Sequence, residues 1–101
     1  MKLLIVTVVD EYQKNILSLF KQAGINNFSE SDIEGYKTSK SLQMNSNWFA
    51  SERSSTDSEM FFSFTNDDEI DVLFKLIKDF NDELKTNNPI RAVVVPIEKY
   101  I

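Results

Sequence analysis

Two short runs, residues 3–9 (LLIVTVV) and 90–97 (IRAVVVPI), are apolar at odd and even positions alike. A strand sends successive side chains to opposite faces, so runs of this kind demand cover on both sides of a sheet. They stand near the two ends of a 101-residue chain, a length that fits one domain, 1–101. The first run follows Lys2 like the core of a leader peptide, but Asp10 and Glu11 close it and no small-residue cleavage site follows. It reads as a buried strand.

Between the two runs the pattern alternates helix and strand. Residues 11–23 read as a helix with Ile16, Leu17, Phe20 and Ala23 on one face. Gly24 is placed to close it in the left-handed conformation, with Ile25 making the capping contact. Residues 27–37 form a polar strand suited to a sheet edge, and Gly35 near its end suggests a bulge or a close approach. Residues 38–58 carry seven serines and no period, and an irregular stretch of this length is usually functional or disordered. A third strand covers 60–64, with Met60, Phe62 and Phe64 on one face. Asn66 and Glu69 then form a capping-box-like pair. They open a second helix to about Leu84, striped by Ile70, Leu73, Phe74, Ile77, Phe80 and Leu84. Lys75, Lys78 and Lys85 occupy its later part, the end that favours cations. Pro89 stops the helix, and Pro96 keeps the last strand from being fully bonded on both sides.

The order β-α-β-β-α-β predicts an α+β, ferredoxin-like sandwich: a four-stranded antiparallel sheet with two helices on one face. The helices cover one face only. The other side of the first and last strands needs a cover too, and the expected one is another copy of the chain.

Charge and residue types remove several function classes. A net charge of −5 and a pI of about 4.6 speak against binding nucleic acid or an anionic membrane surface. There is no histidine and no cysteine, so the commonest general base, thiol nucleophiles and zinc thiolates are missing. Two glycines cannot build a phosphate loop or a dinucleotide-binding turn. The chain is read as not an enzyme, with no catalytic residue, no metal ligand and no cofactor assigned, cytoplasmic, and not inserted in a membrane.

The stretch LFKQAGINNFSESDIEGYK, residues 19–37, resembles the PII signalling proteins in its Gly24-Ile25 turn and its Gly35-Tyr36-Lys37 strand end. The ending IRAVVVPIEKYI, residues 90–101, is similar to that family's last strand through Arg91, Pro96, Ile97 and Glu98. The chain looks like a divergent member of the superfamily. The resemblance implies a homotrimer with sheets turned inward, adenine-nucleotide clefts between subunits, and a T-loop-like segment at about 38–58 that engages a membrane transporter or an enzyme. Arg91 falls where the family has its phosphate-binding lysine. Three departures stand against a standard nitrogen sensor. The glycine-rich phosphate loop is replaced by KTNNPI, residues 85–90. The glutamine for 2-oxoglutarate and magnesium gives way to Thr38, Ser39 and Lys40. No tyrosine stands between Lys37 and Ser58 for modification. The CutA divalent-cation tolerance family is a more distant likeness, through the Pro-aliphatic-Glu ending and Trp48, without that family's expected cysteine and histidine.

Four groups of residues compete for a role. Asp67, Asp68, Glu69 and Asp71 could ligate a hard cation but read as charges on a helix start. Glu30, Asp32 and Glu34 share one face of an edge strand and read as its solvated side. Gly35, Tyr36, Lys37 and Arg91 are the candidate ligand-binding residues, for a small anionic ligand such as a nucleotide. Trp48, Phe49 and Arg53 are the candidate partner-binding residues; Trp48 and Phe49 either pack on a subunit or anchor a partner. The leading expectation is a trimeric PII-like regulator that binds the anionic ligand at inter-subunit clefts. The alternative is a CutA-like metal-binding protein.

Overall fold

Strand β1, Lys2–Val9, turns Leu4, Val6 and Val8 inward, all under 4% exposed, while Leu3, Ile5, Thr7 and Val9 stay half-buried on its other side. The double-sided apolar run is thus resolved into a closed face and an open one. The computed structural model describes residues 1–36 and 55–101, with side chains for 1–36 and 57–101. After β1 come a single 3-10 turn, Asp10–Tyr12, and helix α1, Gln13–Ala23. Strand β2, Ser29–Tyr36, and strand β3, Ser55–Thr65, lead to helix α2, Asp67–Leu84, and strand β4, Arg91–Pro96.

The strands lie in the order β2-β3-β1-β4, every neighbour antiparallel. This is the ferredoxin-like arrangement, with the polar β2 and the proline-bearing β4 at the two edges. Pro96 ends β4 opposite Lys2, where a missing amide costs the sheet least.

The core lies between the closed face and the helices. Leu4, Val6, Val8 and Phe61 pack with Ile16, Phe20 and Ala23 of α1 and Leu73 and Ile77 of α2. Phe20, Phe28 and Phe61 form an aromatic cluster, with ring centroids 4.8–5.8 Å apart and inclined, the geometry the ring quadrupoles favour. Tyr12 meets Phe80 edge-on at 5.5 Å, tying the 3-10 turn to α2.

α1 ends as its sequence predicts. Gly24 sits at φ +80°, its amide donating to Lys21 O (3.1 Å), and the Ile25 amide reaches back to Phe20 O (2.9 Å). Ile25 is buried and supplies the apolar contact of that cap.

Several expectations are corrected. The first helix starts at Gln13, because residues 10–12 take a tighter 3-10 turn. β3 begins at Ser55, so the irregular stretch is shorter than 38–58 at its far end. Gly35 pairs in register with Thr56 and makes no bulge. Asn66 caps α2 without a side-chain bond to the backbone; its amide meets the Glu69 carboxylate at 3.5 Å, and Thr65 Oγ1 meets the same oxygen at 3.4 Å. No basic residue stands in the last turn of α2; Lys85 caps it beyond, at φ 50°. Of the α2 stripe, Ile70, Leu73 and Ile77 are buried, Phe80 is half-buried, and Phe74 and Leu84 are exposed.

Candidate functional site

Three strand ends meet at one end of the sheet. Thr7 near the end of β1 pairs with Arg91 at the start of β4, and Ser58 of β3 pairs with Val9 on one side and Ile33 on the other. The α2–β4 turn closes over this corner. The result is an open cleft of about 400 Å³ whose lining includes Gly35, Tyr36, Arg91 and the turn residues Asn87, Asn88 and Pro89. Three of the four expected ligand-binding residues, two adjacent on β2 and one at the start of β4, therefore share one concavity. The fourth, Lys37, lies outside the described residues, as do Trp48, Phe49 and Arg53.

The turn that forms one wall is held by α2. Asn81 Nδ2 donates to Ile90 O and Ile90 N donates to Asn81 Oδ1, both at 2.9 Å. The side-chain amide thereby imitates a strand neighbour and fixes where β4 begins. Thr86 Oγ1 accepts the Asn88 amide at 3.0 Å. The consequence for anion binding is direct. Asn88 and Ile90 have already spent their backbone N–H groups, and Pro89 has none. The segment KTNNPI does not present the row of backbone amides that cradles a polyphosphate. The exposed Arg91 guanidinium, a fork of donors, lines this corner beside the asparagine side chains.

Tyr36 is exposed and donates its hydroxyl to Glu34 Oε2 at 3.2 Å. That bond, with the Glu34 charge, holds the phenol above its ordinary range.

Next to this cleft, sharing Ile33 and Ser58 with it, opens a second one of about 570 Å³ lined by Asp10, Asp32, Glu34, Asp57 and Glu59. Glu30, Asp32 and Glu34, expected to form a solvated edge, are all three exposed. Glu59, for which the sequence carries no expectation, is 3% exposed on the closed face. Burial pushes the Glu59 carboxyl up to about 7, and the hydrogen bond and charge of Asp10 and the charges of Glu30 and Asp32 add to that. A strand residue three positions before the half-buried Phe62 gave no chemical signal; only its alternation with Phe61 marks Glu59 as inward.

The acidic first turn of α2 serves structure. Asp67 pairs with Lys2 Nζ at 2.9 Å across to the start of β1, and Glu69 takes the Thr65 and Asn66 contacts above. Among the described residues no group of three acidic side chains is placed to hold a metal ion, and no helix is long and apolar enough to cross a membrane.

The open sheet face is the remaining feature. Phe64 is 58%, Val93 53% and Val95 41% exposed, around half-buried Leu3, Ile5, Met60 and Phe62. Met60, Phe62 and Phe64 do share one face, and it is this one, away from the helices.

The sequence matches no family profile and no curated protein. Its fold does have solved counterparts. One is a nitrogen regulatory PII-like protein from Thiomonas intermedia, bound to ADP, AMP and bicarbonate, with a TM-score of 0.64 at 12% identity over 99% of this chain and 94% of that one. The fold of this chain is that of a PII-like protein.

Proposed function

We propose that the chain is a PII-like regulator, a non-enzyme that takes a small anionic ligand at the Arg91 corner and passes its occupancy to a partner protein such as a transporter or enzyme. The observation that carries this reading is the meeting of Gly35, Tyr36 and Arg91 in one cleft. The fold adds weight, since a PII-like protein of the same fold is bound to ADP, AMP and bicarbonate.

The cleft's chemistry narrows the ligand. Arg91 is the cation lining it among the described residues, and the Asn88 and Ile90 amides of the turn are occupied. A neighbouring carboxylate-lined cleft adds negative potential. One phosphate or a bicarbonate fits that balance better than a triphosphate, and Tyr36 offers a ring for a base. The proposed assembly is a homotrimer in which the open sheet faces turn inward, so that the corner lies beside a neighbouring subunit.

Calorimetry tests the reading with AMP, ADP, ATP, cyclic nucleotides and bicarbonate. Binding of AMP or bicarbonate, with ATP weaker and Arg91→Ala weaker by tenfold or more, is expected. Absence of heat with all of them, or binding indifferent to Arg91→Ala, would overturn it.

A further inference from the structure

The second cleft is built from like charges set against one another. In the β2–β3 ladder Asp32 stands directly opposite Glu59, and Glu34 directly opposite Asp57. Like charges at opposed positions on antiparallel strands repel. Asp10, the first residue past β1, lines the same space. The ion pairs among the described residues, Lys2–Asp67 and Lys78–Asp82, both lie elsewhere. Gln13 at the start of α1 donates to Glu30, and Tyr36 to Glu34. Neither brings a charge.

A second observation points to a ligand. Glu59 is 3% exposed and lines the cleft; its carboxyl shares a hydrogen bond with Asp10, but its Oε1 has no hydrogen-bond partner. Buried polar atoms in folded proteins are almost always satisfied, and an unsatisfied one is costly. An acceptor left open inside an acidic cleft calls for a donor that carries positive charge.

The spacing decides which kind. The carboxylates are strung along two strands and a turn, and no three of them surround one point as a metal ion requires. An extended cation with several N–H donors can reach acceptors spread in this way. The volume of about 570 Å³ is ample for such a molecule.

We infer that the cleft bounded by Asp10, Asp32, Glu34, Asp57 and Glu59 binds a small organic cation, an alkylammonium or guanidinium compound, with Glu59 Oε1 as its innermost acceptor. The site is separate from the Arg91 corner and opposite to it in charge preference.

The binding is linked to protons. Glu59 faces Asp10 from the 3-10 turn and Glu30 and Asp32 from β2, and its carboxyl titrates at about 7. A cation that takes up Glu59 must expel that proton, so affinity rises by about tenfold between pH 6 and pH 8.

Calorimetry on the full chain with agmatine and with putrescine, at both pH values and in buffers of different ionisation heat, tests the inference. Expected are saturable binding of at least one amine, tighter at pH 8 with proton release, and a tenfold or larger loss in Glu59→Gln and in Asp32→Asn. Asp32 is exposed, so its variant tests the site independently of any change in the fold around Glu59. The double variant Asp67→Asn, Asp68→Asn removes more charge than either, but elsewhere, and should bind as wild type does; Arg91→Ala should too, which separates this site from the anion corner. No binding of either amine, equal loss in the control double variant, or binding of Mg²⁺ with none of the amines would each overturn the inference.

Discussion

Asp32 on β2 stands directly across the antiparallel ladder from Glu59 on β3, the first exposed and the second 3% exposed. Burial of Glu59, helped by the hydrogen bond and charge of Asp10 and by the charges of Glu30 and Asp32, sets the sign of a pH dependence. The Glu59 carboxyl titrates at about 7 in the fold against 4.5 for an ordinary glutamate. Between those values the folded chain holds a proton that the unfolded chain has lost. Stability from this group is therefore present below about pH 4.5 and is lost as pH rises through 7. Glu59→Gln, which keeps the shape and removes the ionisation, should gain on the order of 2 kcal/mol over wild type at pH 8 and little at pH 5. Urea unfolding at fixed protein concentration across pH 4.5–8.5 measures the difference between the two curves. A difference that does not grow with pH would refute the assignment.

Asn81 makes two hydrogen bonds to the backbone of Ile90, and Ile90 itself is 2% exposed. Asn81→Ala strands a buried N–H and a buried C=O at the start of β4. The expected cost is about 2 kcal/mol in chemical unfolding. Asn81→Asp keeps the acceptor for Ile90 N but sets a carboxylate against Ile90 O, so it should be no better than alanine. Because Asn81 also holds the wall of the Arg91 cleft, both variants should weaken any anion bound there. A stable Asn81→Ala protein with an unchanged melting temperature would show that the turn holds by other means.

Gly24 has no atom within 4 Å of the position a Cβ would take, and its φ is +80°. A substitution meets no clash, and the whole penalty is backbone strain. Gly24→Ala should cost about 1 kcal/mol, and Gly24→Asn less, since asparagine enters this region more readily. Thermal unfolding of the two variants orders them; a larger loss in asparagine than in alanine would contradict a purely conformational origin.

The fold was legible because its signals are local and redundant. The apolar runs of β1 and β4, the Gly24-Ile25 cap and the α2 stripe each reflect one physical rule acting over a few residues. The site was legible in part. Gly35, Tyr36 and Arg91 were picked by likeness of short motifs, and the topology does bring them together. The acidic cleft was not foreseen, because it depends on register. Whether Glu30, Asp32 and Glu34 face water or other carboxylates depends on which β3 residues oppose them, and no local pattern fixes that pairing. Alternation in β3 put Met60, Phe62 and Phe64 on one face but did not say which: they point to the open face, while Phe61, Ser63 and Thr65 are buried under the helices. The place of Trp48 and Phe49 falls outside the described residues.

On the open face Ile5 lies between Phe62 of β3 and Val93 of β4, and Leu3 between Phe64 and Val95. Two apolar rows thus cross three strands with Val93, Val95 and Phe64 left largely exposed. The helices pack on the opposite side, so Ile5 belongs to no part of the core between helices and sheet. A charge at its centre should therefore spare the protomer and act on association alone. Ile5→Lys is expected to sediment as a monomer with an unchanged helical circular-dichroism signal, while the wild type sediments as a larger species. Burying the two rows between copies would contribute about 25 cal/mol per Å² of apolar area, and a lysine stranded there would forfeit much of it. Restoring the apolar side chain with Ile5→Val should restore assembly, since volume changes by one methylene. A wild type that sediments as a monomer at tens of micromolar, or an Ile5→Lys variant that assembles as wild type does, would remove the sheet face as the surface through which copies meet.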